Sequence, residues 1–172
     1  WSKLPVLERA NILLRMADLL EKNAPELMML TVREAGKVLP DVLSEIREAV
    51  DFCRFYAVNA QELMQDKILP GPTGESNVLR MHGRGPILCI SPWNFPMAIF
   101  IGQVSASLVT GNTVLAKPAD QTPLIAARIV TLFYEAGVPE NVLQLLPGRG
   151  SVVGQALVED ERIAGVVFTG ST

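Results

Sequence analysis

The most unusual stretch of the chain is Ser91-Pro92-Trp93-Asn94-Phe95-Pro96. Two prolines bracket Trp-Asn-Phe, and because each proline fixes its own φ the loop is stiff. It follows Ile87 to Ser91, an apolar run that reads as a fully buried strand. A stiff loop at the carboxyl end of a parallel strand is where open α/β sheets bind ligands. A rigidly held asparagine amide there can donate to a developing oxyanion. The bland alternative, an aromatic plug with a turn-forming Asn, explains the same residues equally well when they are taken alone.

Three other groups have a chemical reading beside an ordinary one. Lys117-Pro118-Ala119-Asp120 directly follows a predicted strand. A lysine there suits ribose hydroxyls or phosphate, and an acid three residues on suits a ribose diol. A solvated cation at a strand end is the commoner explanation of an isolated Lys-Pro pair. Gly148, Gly150 and Gly154 lie between a strand and a helix, in the context of a dinucleotide fingerprint. Their spacing, G-x-G-x-x-x-G, is one residue longer than the standard one, and a turn that needs positive φ explains it more simply. The second glycine loop, Phe168-Thr169-Gly170-Ser171-Thr172, would offer backbone N–H groups and the Ser171 hydroxyl to a phosphate.

Nucleophiles are poor. Cys89 falls in mid-strand and Cys53 on the apolar face of a helix, so neither is expected to be reactive. No G-x-S-x-G elbow occurs. Paired carboxylates such as Glu45 and Glu48 are expected only on helix surfaces. His82 is the one histidine, which excludes a multi-histidine metal site.

The elements that must position these residues fall into two regimes. Val6, Ala10, Leu13, Ala17 and Leu20 lie at helical spacing, with Arg9 and Asp18 off the stripe and Ser2 as N-cap. A second helix follows Asn23-Ala24-Pro25 and ends near Ala35-Gly36. A third starts around Pro40-Asp41, buries Val42, Ile46, Val50, Cys53, Ala57 and Ala60, and fades near Gln65-Asp66. After the turn-rich Pro70-Gly71-Pro72-Thr73-Gly74 the pattern changes. Strands are expected at Val78 to His82, Ile87 to Ser91, Asn112 to Ala116, Val142 to Leu146 and Ile163 to Phe168. Helices are expected at Met97 to Val109, Thr122 to Glu135 and Ser151 to Val158. This alternation predicts an α/β fold: N-terminal helices over residues 1–66, then a Rossmann-like parallel sheet over 67–172. No helix follows the last strand, so the sheet is expected to be incomplete, with an open edge or an uncovered face.

Composition narrows the function classes. The chain has 172 residues, 49% of them hydrophobic and 19% charged, which is globular rather than disordered. A net charge of -3 presents no basic field for nucleic acid. Gly85 to Ala116 carries no Asp, Glu, Lys or Arg, but Pro86, Pro92, Pro96 and Gly111-Asn112 interrupt it too often for a membrane helix. Two cysteines in apolar stretches suit a reducing, cytoplasmic compartment. No secretory signal opens the chain.

Taken together, Pro92-Trp93-Asn94-Phe95-Pro96, Gly111-Asn112-Thr113-Val114, Lys117-Pro118-Ala119, Thr122-Pro123, Glu135-Ala136-Gly137-Val138-Pro139 and Phe168-Thr169-Gly170-Ser171-Thr172 resemble the NAD(P)-dependent aldehyde dehydrogenase superfamily. They occur in the family's order over nearly the whole chain. Within it, Arg33-Glu34-Ala35-Gly36-Lys37, Glu45 to Phe52, Cys89 to Pro92, Gln121 to Ala127 and Gln144 to Gly150 resemble the proline utilization A family. There an aldehyde dehydrogenase module oxidises L-glutamate γ-semialdehyde to glutamate with NAD. FAD belongs to a separate proline dehydrogenase domain, no part of which is present here.

The resemblance implies roles, residue by residue. Asn94 resembles the oxyanion asparagine, and Phe95 the aromatic lining of the aldehyde tunnel. Ser91, Pro92 and Trp93 match contacts to the nicotinamide half of NAD. Lys117 matches the ribose-binding lysine. Asp120 stands where NAD-preferring members often carry Glu, one methylene longer. Gly150 and Gly154 match positions beside the adenine. Phe168, Gly170 and Ser171 match the nicotinamide and pyrophosphate loop. Glu48 matches an acid that meets the amino end of the semialdehyde. The family's nucleophilic cysteine and general-base glutamate fall beyond Thr172, so this polypeptide alone is expected to be inactive. The parent is expected to be a homo-oligomer acting on a small-molecule aldehyde. The alternatives are another aldehyde dehydrogenase, such as a succinate-semialdehyde or betaine-aldehyde type, and a non-catalytic nucleotide-binding module.

Overall fold

The computed structural model describes residues 1–170. Three helices come first: α1 Val6–Lys22, α2 Ala24–Ala35 and α3 Leu39–Leu63. The expected Ser2 cap does not form, and α1 begins after Pro5 with no side-chain cap. Gly36 ends α2 at φ 66, a left-handed conformation that costs glycine no Cβ clash. A short antiparallel hairpin follows, β1 Lys67–Leu69 paired with β2 Asn77–Leu79. The sequence pattern does not reveal β1 and sets its partner too late. Both strands are largely exposed, so no alternation of buried and wet positions marks them.

The second region is a parallel sheet. β3 Pro86–Ile90, α4 Ala98–Val109, β4 Thr113–Lys117, α5 Pro123–Ala136 and β5 Leu143–Leu145 alternate in order. Then come a π-helical turn Gly150–Gly154, α6 Gln155–Val158 and β6 Gly165–Phe168. The helix expected from Ser151 is therefore a π turn that tightens into a short α-helix. The sheet runs β5-β4-β3-β6, all parallel. Stepping from β3 to β4 to β5 carries α4 and α5 across one face. Returning from β5 past β3 to β6 takes the crossover to the other face.

Both faces of β4 agree with this. Val114 and Ala116 join the buried core with Ile101, Val104, Ile129 and Phe133. Lys117 points the opposite way, its stem lying against Gly154. Leu115 and Leu157 of α6 line a shallow hollow of 320 Å³ on the amino side of that second face. The edge strand β6 leaves Val166, Val167 and Phe168 exposed.

One continuous core joins the two regions: Leu13, Met16, Leu20, Val50, Cys53 and Ala57 pack with residues of α4 and α5. Full burial of a side chain such as Leu13 or Phe133 contributes ~1.5–3 kcal/mol. Three charged residues of the N-terminal helices serve the fold. Arg9 is buried, and its guanidinium donates to the Val109 carbonyl at 2.8 Å and to that of Leu4. It thus satisfies an orphan carbonyl at the end of α4. Glu34 accepts from the N–H groups of Leu124 (2.7 Å) and Ile125 (2.8 Å), capping α5, which has no side-chain cap of its own. Glu45, expected on a solvated face, is 1% exposed.

Candidate active site

The strand order reverses between β3 and β6, and at such a switch point the loops leaving the two strands diverge and open a crevice. Here the crevice has a volume of 410 Å³. Its walls are Ile90 to Asn94 after β3, Ile99 of α4, and Phe168 to Gly170 after β6. The stiff Pro-bracketed loop and the second glycine loop, far apart in sequence, therefore face one another.

Gln103 ties the two loops together. Its Nε2 donates to the Ile90 carbonyl at 3.0 Å and to the Thr169 hydroxyl at 3.1 Å. The Thr169 N–H also donates to the Ile90 carbonyl, at 3.0 Å. Sequence reasoning passes over Gln103. The available signal is an isolated amide inside the apolar run of α4, where a polar group is tolerated only if bonded.

The structure gathers most of the candidate residues into two groups and leaves others apart. Ser91, Pro92, Trp93, Asn94, Phe168 and Gly170 all line the crevice. Trp93 is 55% exposed and Phe168 60%, so broad apolar surface is presented to solvent there. The Asn94 side chain is also exposed, and it makes no hydrogen bond among the described residues. A Cβ on Gly170 would sit 3.0 Å from the Phe168 ring, so glycine lets that loop lie against the aromatic face.

Lys117 and Gly154 form the second group. Lys117 ends β4, is 3% exposed, and donates from Nζ to the Pro118 carbonyl at 3.0 Å. Burial lowers its pKa, and the charge of Asp120 opposes that shift. An ammonium has three donors, and one protein acceptor leaves two unmet among the described residues. The Ser91 N–H donates to the Lys117 carbonyl at 3.2 Å, joining this group to the first. Gly150 opens the π turn in open space, with nothing within 4 Å of where a Cβ would stand. Gly148 is the glycine of the first loop that its conformation demands: φ is +146, and a Cβ would lie 2.6 Å from Val153 Cγ2.

Glu48 stands apart. It is exposed on α3 and lines a separate hollow of 650 Å³ with Ser44, Arg47, Asp51, Phe52 and Phe55. Phe95 lies under the Lys37 ammonium, 4.0 Å from Nζ to ring centroid. Ser171 lies outside the described residues. Both thiols are buried and inert: burial pushes Cys53 up to about 12 and Cys89 up to about 11.

An open parallel sheet with a crevice at its switch point defines a doubly wound α/β domain of the nucleotide-binding type. The aldehyde dehydrogenase family model matches residues 1–172, and the chain belongs to the aldehyde dehydrogenase family. Membership implies a nicotinamide cofactor. Over 172 residues the chain is 52% identical to the bifunctional protein PutA of Klebsiella aerogenes, covering 100% of this chain and 12% of that protein. It is 40% identical over 171 residues to 1-pyrroline-5-carboxylate dehydrogenase of Bacillus subtilis strain 168, covering 99% of this chain and 33% of that enzyme. A solved variant of Bradyrhizobium japonicum proline utilization A matches with a TM-score of 0.98 at 53% identity, covering 99% of this chain and 18% of that one. The chain thus spans a minor part of the length of these relatives. No helix among the described residues is long and apolar enough to cross a membrane.

Proposed function

We propose that the chain is part of an NAD-dependent dehydrogenase that oxidises L-glutamate γ-semialdehyde to glutamate. The observation that carries the reading is the crevice at the β3–β6 switch point, with the Asn94 amide at its rim and unbonded among the described residues. The similarity to PutA and to 1-pyrroline-5-carboxylate dehydrogenase supports the choice of substrate.

The residues present fit a dinucleotide. Lys117 is a buried cation with donors to spare, suited to ribose hydroxyls, and Gly154 leaves room beside its stem. Ser91, Pro92, Trp93, Phe168 and Gly170 offer backbone groups and apolar wall for the nicotinamide half. Ser171 would add a hydroxyl, and Gly150 and Asp120 would meet the adenosine half. When bound, the nicotinamide accepts a hydride.

Asn94 has the part of holding charge. As a nucleophile adds to the aldehyde carbon, negative charge builds on the carbonyl oxygen, and an amide N–H fixed at that point stabilises it. Phe95 would line the aldehyde path and Glu48 would meet the substrate's amino end. Neither Cys53 nor Cys89 can be the nucleophile, since burial keeps both thiols protonated and out of reach. We infer that the nucleophilic thiol comes from outside residues 1–172.

The test uses the whole gene product that contains this chain. NADH formation from the semialdehyde is measured for wild type and Asn94→Ala. The variant is expected to lose ~100- to 1,000-fold in kcat with little change in KM, the cost of one oxyanion donor. Wild-type kcat in Asn94→Ala would refute that role. Turnover of succinate semialdehyde in preference to glutamate semialdehyde would replace the substrate assignment. NADH production by the polypeptide Trp1–Thr172 alone would refute the inference that it lacks the nucleophile.

A further inference from the structure

The loop that carries Asn94 is gripped by an ion pair with a buried carboxylate and a partly exposed ammonium. Glu45 lies on α3 with a side chain 0% exposed. Its Oε1 accepts from the N–H groups of Met97 at 2.7 Å and Ala98 at 3.1 Å, the first donors of α4. No local side chain caps that helix, so the carboxylate of a distant helix does so. Glu45 Oε2 takes the Lys37 ammonium at 2.6 Å. Lys37 Nζ in turn donates to the Asn94 carbonyl at 3.0 Å and sits 4.0 Å over the Phe95 ring.

The residues so held are Asn94, Phe95, Met97 and Ala98. The Asn94 side chain has no hydrogen bond of its own among the described residues, so what restrains it is the backbone's placing of its Cα–Cβ bond. The only described contact on its carbonyl comes from Lys37. Without that bond the peptide after Asn94 loses a hydrogen-bonded anchor within the Pro-stiffened loop, and the α-carbon that carries the amide can shift with it. Glu45 and Phe95 both anchor Lys37, one by a charge-assisted bond and the other by a cation–π contact.

We propose that Lys37 and Glu45 are a positioning pair that aims the Asn94 amide, so that they act on the reaction through Asn94 and not on substrate directly. This rests on the oxyanion reading of Asn94. A displacement of about 1 Å at such a donor can cost ~100-fold in rate, so Lys37→Met is expected to lower kcat by roughly ten- to hundredfold. KM and cofactor affinity are expected to stay within about twofold, because neither Lys37 nor Glu45 lines the crevice. Lys37→Arg, which keeps the charge and the donors, recovers most of the loss.

The experiment is a double-mutant cycle in the whole gene product, with semialdehyde-dependent NADH formation as readout. In an Asn94→Ala background the Lys37→Met change should cost no more than about twofold further, because its target is gone. Lys37→Met alone leaves Glu45 buried without a cation, so Lys37→Met with Glu45→Gln is made as well. That neutral pair removes the burial problem and should show the same loss of kcat, with a wild-type thermal midpoint or a lower one. Wild-type kcat in Lys37→Met or in Lys37→Met with Glu45→Gln overturns the proposal, as does a Lys37→Met loss that is equally large with and without Asn94. A loss in Asn94→Ala with none in Lys37→Met overturns the positioning pair alone. Wild-type kcat in Asn94→Ala overturns the oxyanion reading and the pair with it.

Discussion

Replacing Lys117 by Met is expected to move stability and cofactor affinity in opposite directions. The ammonium is 3% exposed, and its described acceptor is the Pro118 carbonyl at 3.0 Å. Two of its three donors are unmet among the described residues, and an unmet buried donor costs ~1–3 kcal/mol. Methionine keeps the apolar stem against Gly154 and removes the charge. After allowance for imperfect repacking, the unliganded protein should gain about 1 kcal/mol. The same change deletes charge-assisted bonds to a bound ribose, worth ~1.5–3 kcal/mol, so NAD should bind roughly ten- to hundredfold more weakly. Urea denaturation reads the first effect and calorimetric titration of NAD the second.

Alkaline pH supplies an independent check on the same residue. Burial holds the Lys117 pKa below its ordinary 10.5. Between the lowered folded value and the ordinary unfolded one, the unfolded chain binds the extra proton, so this residue makes stability rise as pH climbs. Below the folded value the lysine is charged in both states and the penalty is present in full. The Met variant should lack that alkaline component. A Lys117→Met protein that is less stable than wild type and binds NAD unchanged would refute the whole line of reasoning.

Three further outcomes follow from the packing. Glu34→Ala should destabilise by ~1–2 kcal/mol, because it strips a carboxylate cap from the Leu124 and Ile125 N–H groups; an unchanged urea midpoint would show that water replaces it. Gly83→Ala should cost ~1–3 kcal/mol by overpacking, since its Cβ would lie 2.6 Å from the Gly111 carbonyl oxygen, and backbone cannot move aside as a side chain can. Cys53 and Cys89, pushed up to about 12 and about 11, should resist a thiol-specific reagent in the native protein at pH ~8 and react only when denaturant is added. Rapid native modification would mean that one of them is not buried.

The sequence by itself determined the elements with strong periodicity and the loops with unusual chemistry. Leu13, Ala17 and Leu20 have one helical period, and the apolar runs at Ile87 and Val114 have no room for another reading once Pro86 and Gly111 bound them. Prolines made the Trp93-Asn94-Phe95 loop visible, because they restrict the backbone wherever they stand. Lys117 and the Phe168-Thr169-Gly170 loop were legible as strand ends for the same local reason.

What only tertiary structure decided was which of these meet, and which charges are buried. The crevice exists because β6 returns past β3, a long-range choice of strand order that no spacing records. Arg9, Glu34 and Glu45 each lie three or four residues from a buried position of their own helix, Leu13, Thr31 and Val42, on a stripe where a charge is not expected. Each is bonded to a carbonyl or N–H at the end of a helix far away in the chain. A helix end leaves its backbone groups unsatisfied whatever its own sequence, and the side chain that satisfies them is selected by packing. That is why the residues at the crevice could be named from the sequence, while Lys37, Glu45 and Gln103, which hold them in place, could not.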